Sequence, residues 1–245
     1  MTKKKIVVID IGTHKCQEFL AMFHTNPFAL FARVAAYKIF RLPSPTFKET
    51  FSMISSQKLL KQNRDRFFTI LTEPNTNVLS HPLYNKADQV FCLAVGKTSK
   101  NIKLSNLYFH SVQIDLDEQG SSIFEEKQGK KSTFSLPITQ VDPEYYLNFI
   151  KQNIEHKFPN IDYEIVLRMN CEGSEYDVIQ GAKKIFGAQF SLVLGSLDDV
   201  LKYHGQDVYN QMEKFLEDNR IDFRVFNTIL TSHAEALKVL VSKLH

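Results

Sequence analysis

The stretch IVVIDIGTHKCQEF, residues 6–19, decides the fold. Four β-branched residues run without polar alternation as far as Asp10, the pattern of a strand covered on both faces. Gly12 then breaks the run, and from about Lys15 to Phe23 the apolar Phe19, Leu20, Met22 and Phe23 share a helical face. Strand, tight turn and helix in that order open a βαβ unit. Ligands of open parallel sheets collect at the carboxyl ends of the strands, so the turn after Asp10 is the first place to look for one.

Further strands and helices alternate downstream. "FFTILTEPN" (67–75) reads as a second strand ending at Glu73 and Pro74, and "QVFCLAVG" (89–96) as a third ending at Gly96. Strands at about 102–109 and 111–116 follow, then a polar Gly- and Ser-containing loop over 117–133. "YEIVLRMNCEG" (163–173) is another buried strand. The spacing then predicts a helix capped by Ser174, with Asp177 three residues on and Gly187 at its end. "FSLVLGS", a helix over about 208–219, "DFRVFN", and a last helix with Ser232 and Glu235 at capping-box spacing complete an α/β pattern. Between the first two strands, about 26–66 reads as a two-helix insertion within a single 1–245 domain. Its first helix carries Phe28, Phe31, Val34, Ala35 and Ile39 among Arg33, Lys38 and Arg41. That composition permits packing as a lid, contact with a partner, or peripheral attachment to a membrane surface.

Composition narrows the function. A chain of 245 residues, 43% hydrophobic, can bury a full core, and a formal net charge of +3 lacks the footprint of a dedicated nucleic-acid binder. Three cysteines with no CxxC pair argue against a structural zinc site or a disulfide framework, so no metal is expected and a reducing cytoplasm fits best. No apolar run approaches the length of a transmembrane span. Oligomeric state is not legible.

Three strand ends carry polar or flexible residues: Asp10–His14, Glu73–Asn75 and Asn170–Gly173. A carboxylate closing the second strand can accept hydrogen bonds from both hydroxyls of a ribose, and Glu73 stands there. The first turn offers one glycine where a G-x-G-x-x-G fingerprint supplies three, which disfavours a pyrophosphate-bearing cofactor and a nicotinamide oxidoreductase. A nucleoside without phosphates, such as S-adenosylmethionine, tolerates this better.

These residues resemble the FkbM-type S-adenosylmethionine-dependent methyltransferases. "DIGTHKCQEF" is similar to the family's D-x-G-A-N-x-G opening, "LTEPN" to its F-E-P-N, and Ala94–Val95–Gly96 to its AVG. Ser121 and Ser122 match its serine-rich loop, and "LRMNCEGSEYDVIQGA" its K-I-D-x-E-G-x-E block. The resemblance implies a class I methyltransferase (Rossmann-like) fold. Its largely parallel seven-stranded sheet has an antiparallel last strand and helices on both faces. It also implies O-methylation of a hydroxyl on a carbohydrate or glycoconjugate, with S-adenosyl-L-methionine as cofactor and a small-molecule or glycan acceptor as partner. Cofactor contacts then fall to Asp10, Gly12, Thr13, His14, Glu73, Pro74, Asn75, Ala94, Ser122 and Asn170, and Glu172 and His14 are the candidates for proton removal. Departures stand at His14, Cys16, Arg168 and Asn170, where the family tends to have Asn, Gly, Lys and Asp. Those at His14, Cys16 and Asn170 motivate an alternative, a methyltransferase-like S-adenosylmethionine-binding protein without catalysis. Cys16 itself reads as a small packed residue, and Glu175 as favouring the helix dipole.

Overall fold

A computed structural model describes residues 4–110, 121–127, 130–132, 134–227 and 230–244. The strand expected at 111–116 lies outside the described residues, as does part of the polar loop. In chain order the elements are β1 (Lys5–Ile11), α1 (Gln17–Phe23), α2 (Pro27–Ile39), α3 (Phe47–Gln62), β2 (Phe67–Thr72), β3 (Gln89–Phe91), β4 (Ala94–Val95) and β5 (Ile102–Phe109). There follow β6 (Glu126–Lys127), β7 (Lys130–Lys131), β8 (Phe134–Val141), α4 (Pro143–Lys157), β9 (Tyr163–Met169) and α5 (Glu175–Phe186). The chain closes with β10 (Phe190–Gly195), α6 (Asp198–Asp218), β11 (Asp222–Val225) and α7 (His233–Ser242).

Six strands form the main sheet in the order β11–β10–β9–β1–β2–β3, and every neighbouring pair is parallel. β1 lies between β2 and β9, so the chain leaves it first toward β3 and later returns to its other flank. That reversal opens a crevice at the carboxyl ends of β1 and β9, where such sheets bind ligands. The period-2 alternation of β1 explains its uninterrupted apolar run. Val7, Ile9 and Ile11 enter a core with residues of α4, α5 and α6, while Ile6 and Val8 enter a second core with residues of α1, α3 and α7.

Five expectations need correction. The sheet has six strands rather than seven, and no antiparallel strand joins it among the described residues. The single strand expected over 89–96 is split: β3 pairs with β2, whereas β4 pairs with β8 in a separate sheet of order β4–β8–β5. A bend at Cys92–Leu93 hands the chain from one sheet to the other, as strands at sheet corners do. Ser174 sits at the start of α5 without a side-chain cap bond, and α6 begins ten residues before the expected 208 and contains a break at Gly205 (φ 81°). Ser232 likewise makes no cap bond to α7, its hydroxyl lying instead against Asn227.

The sequence reading assigns no element over 134–157, where β8 and α4 stand. The signal was present: Asp142 caps α4 by accepting from the Glu144 N–H at 3.0 Å, Pro143 occupies the first turn, and Tyr146, Ile150 and Ile154 recur at i+4 on its buried face. The insertion does form two helices. α3 opens with a full capping box, Thr46 accepting from the Glu49 N–H while the Glu49 carboxylate accepts from the Thr46 N–H. Among the described residues no helix is long and apolar enough to cross a membrane.

Candidate active site

The crevice at the sheet's reversal is a narrow cleft, open to solvent, with about 60 Å³ of room for water-sized groups. One wall is the end of β1 and its turn, with Ile11, Gly12 and His14; a second is Glu73 and Pro74 after β2. The bend between β3 and β4, with Leu93, Ala94 and Val95, adds an apolar side together with Leu107 and Ile123. Asn170, Cys171 and Glu172, after β9, close the far wall beside Ser121 and Ser122. Among the described residues, no cluster of His, Cys, Asp and Glu has the form of a metal site.

Gly12 is required by two features. Its φ of +74° lies where side chains are strained, and a Cβ there would overlap the backbone carbonyl oxygen of Asn170. The Gly12 N–H donates to the Thr72 carbonyl at 2.9 Å, and the Asn170 N–H to that of Ile11 at 3.0 Å. The turn is thereby wedged between the ends of β2 and β9. His14 and Cys16 also have positive φ, 45° and 56°, so three residues in five take left-handed backbone to make this loop compact.

Glu73 spans the floor of the cleft. Its Oε2 accepts from the His14 N–H at 2.7 Å and its Oε1 from the Asn75 N–H at 2.9 Å. Each oxygen thus holds one backbone donor and retains a lone pair for another. Burial raises its carboxyl to about 7, opposed by those two backbone bonds and by Arg168. Near neutrality the carboxylate is poised to ionise when further donors arrive.

Asp10 does not line the cleft. Along β1 it shares the face of Ile6 and Val8, opposite Arg168 in the β1–β9 register. Arg168 Nη1 donates to Asp10 Oδ1 at 2.9 Å and to the Gly12 carbonyl at 3.1 Å, while Nη2 meets Glu18 Oε2 of α1 at 3.0 Å. All three charged groups are buried. Burial pushes Asp10 up to about 6, with Arg168 pulling the other way. One guanidinium therefore ties the strand, the turn and the first helix from beneath, its planar fork of donors bridging two carboxylates and a carbonyl.

Thr13 and Asn75 are buried beside the cleft rather than in its wall. Thr13 Oγ1 lies 2.6 Å from the Tyr84 hydroxyl, which in turn donates to the His14 carbonyl at 2.6 Å. Asn75 Oδ1 accepts from the Asn77 N–H at 3.1 Å, holding the turn after β2. Ser122 lines the cleft, but its hydroxyl donates to the Glu172 carbonyl at 2.8 Å, joining the loop after β5 to the loop after β9. Cys16 is fully buried at the start of α1, where burial pushes its thiol up to about 12, unsuited to nucleophilic work.

The loop after β9 is set by Glu175, whose carboxylate accepts from the N–H groups of Cys171 at 2.7 Å and Gly173 at 2.8 Å. Burial raises it to about 8 despite those bonds. It works on the loop backbone, which the helix-dipole reading did not foresee. Glu172 then takes a left-handed φ of 51° and lines the cleft, while Gly173 (φ 110°) leaves room for the Phe124 and Tyr203 rings, which pack tilted with centroids 5.0 Å apart. His204 Nε2 is 2.7 Å from the Gly173 carbonyl.

Arg168, Tyr84 and Glu175 were not singled out as site-builders from sequence. Arg168 did carry a signal: a cation inside a strand covered on both faces must find an anion. For Tyr84, in a loop between strands, the sequence holds none.

The six-stranded parallel sheet, with helices packed on both faces and a glycine turn at its reversal, is an α/β fold consistent with a Rossmann-like methyltransferase. A family model described as the methyltransferase FkbM domain matches residues 43–225, about three quarters of the 245 residues, and the chain belongs to that family. The match takes in Glu73, Ala94, Ser122, Asn170 and Glu172 and begins after β1 and the Gly12 turn, which join the site through the geometry above. Comparisons with curated proteins and with solved structures returned no match.

Proposed function

We propose that this methyltransferase-family protein transfers a methyl group from S-adenosylmethionine to a hydroxyl of a carbohydrate or glycoconjugate. The observation that carries the nucleoside part is Glu73: a buried carboxylate, aimed by two backbone N–H groups, keeping one acceptor position on each oxygen beside the Gly12 turn. The residues present fit the cofactor. Glu73 would take the ribose hydroxyls, and Gly12 lets the backbone approach the amino-acid end. The slot between Leu93, Ala94, Leu107 and Ile123 suits an aromatic base.

When bound, the cofactor supplies a methyl group already activated on a sulfonium. What remains for the protein is alignment and exclusion of water. The acceptor hydroxyl must lose its proton as it attacks, and Glu172 and His14, both in the cleft wall, are the groups positioned to take it. The carbohydrate assignment rests on the family resemblance alone.

A second reading is a nucleoside-binding protein without turnover. Asn170 favours it, since an amide stands in the cleft where the family tends to place a carboxylate, and an amide cannot act as a base. Calorimetry with S-adenosylmethionine and S-adenosylhomocysteine, followed by transfer of labelled methyl to a panel of glycan acceptors, separates the readings. Binding with transfer supports the first, and binding without transfer to any acceptor the second. Absence of binding defeats both.

A further inference from the structure

The insertion does not bury the face its sequence suggests. Of α2, only Leu30 and Val34 are buried, whereas Phe28 is 84% exposed and Ile39 76%. The surface continues through the connector and into α3, with Phe40 74%, Phe47 66% and Phe51 60% exposed. Phe31 and Phe51 pack edge to face at 5.5 Å, so the aromatic residues of the two helices form one continuous patch. Patches of this kind on a protein surface mark a contact with something else.

The charges say with what. From position 27 to 51, the span of the patch, the chain carries Arg33, Lys38, Arg41 and Lys48 against a single acidic residue, Glu49, whose carboxylate is held by the Thr46 N–H and hydroxyl. Lys38 Nζ sits 3.9 Å above the exposed Phe47 ring, so cation and aromatic ring occupy the same surface. Exposed bulky apolar side chains beside exposed lysines, Lys38 and Lys48, on helices that do not span, are the surface that lies in the headgroup region of an anionic leaflet.

The fold also orients this elbow. The Phe23 ring at the end of α1 packs on Phe67 at the start of β2 (5.1 Å), and Arg64, just past α3, lies 5.2 Å over the same Phe23 ring. Both helices therefore end at the amino edge of the sheet and start toward its carboxyl edge. α3 has sixteen residues against seven in α1. Its start projects beyond that of α1 by on the order of 10 Å, on the side where the cleft opens.

We propose that the α2–α3 elbow docks this protein on an anionic bilayer surface, with the cleft turned toward that surface. A consequence for the acceptor rests on the methyl-transfer reading above: the hydroxyl would be one carried at the membrane face. The docking itself does not depend on that reading, and its test is run without nucleoside.

The full chain is floated with vesicles of phosphatidylcholine alone and with vesicles containing about 30% phosphatidylserine, at low and at physiological salt. The expected result is at least about tenfold stronger partition to the anionic vesicles, weakening as salt rises. Partition should be lost both in Phe28→Ser/Phe40→Ser and in Lys38→Glu/Lys48→Glu, all exposed positions, with unchanged thermal unfolding. No partition to anionic vesicles at low salt overturns the proposal, and so does equal partition to both compositions. Concentration-dependent self-association in sedimentation, lost in the Phe variants, without vesicle binding also overturns it and assigns the face to a second copy.

Discussion

The proton on Glu73 offers the sharpest test of the nucleoside reading. In the unliganded fold its carboxyl is raised to about 7 because burial outweighs the two N–H groups that stabilise the anion. Only the ionised form offers acceptors to both ribose hydroxyls, so nucleoside binding must pull a proton off. With a midpoint near 7, about nine tenths of the molecules carry that proton at pH 6 and about one tenth at pH 8. The association constant for S-adenosylhomocysteine should therefore fall about tenfold from pH 8 to pH 6, and binding at pH 6 should release close to one proton. Calorimetry at pH 6 in buffers of different ionisation enthalpy reads that proton directly. Glu73→Gln should bind weakly, with no slope and no proton release. The same shift has a stability consequence of opposite sense. The folded form holds its proton more tightly than the unfolded chain, so this group's contribution is fully present below about pH 4.5 and is lost as pH rises through 7. The loss is about 3 kcal/mol, and Glu73→Gln removes it. A wild-type affinity that is flat with pH, or an equal slope in Glu73→Gln, would refute the assignment of this carboxylate to the ribose.

Two further perturbations probe the scaffold. Gly12→Ala places a methyl group on the Asn170 carbonyl at a φ of +74°, at a cost on the order of 3 kcal/mol. For a chain of this size that is a fall in Tm of about 6–12 °C, and an alanine variant as stable as wild type in calorimetry would show that the turn has slack. Arg168→Met strands the buried carboxylates of Asp10 and Glu18 and should cost about 3–5 kcal/mol in urea unfolding at pH 8. The deficit should shrink as pH falls from 8 toward 6, because without the guanidinium burial holds Asp10 above the value of about 6 that it has beside Arg168, and the variant takes up the proton first. A deficit that does not change with pH would mean that packing rather than charge pairing is what Arg168 supplies.

The strand ends were legible because their signals are local. An apolar run, a glycine and an acid before proline are read within a few residues. Gly12, Glu73 and Glu172 accordingly stand in the cleft wall to which their strands lead. Element junctions were less legible. Nothing in QVFCLAVG announces that pairing partners change between Phe91 and Ala94, since the new partner, β8, lies some forty-five residues on.

By itself, the sequence determined a parallel α/β sheet with polar strand ends at Asp10–His14, Glu73–Asn75 and Asn170–Gly173, because side-chain periodicity and turn chemistry are properties of neighbours along the chain. Only the tertiary structure decided what those residues do. It turned Asp10 beneath the turn to meet a guanidinium 158 positions away, set Glu73 with an N–H from 59 positions back, and left the insertion's aromatic face uncovered. Contacts between distant residues depend on strand register and helix direction, and no stretch of sequence contains those before the chain has folded.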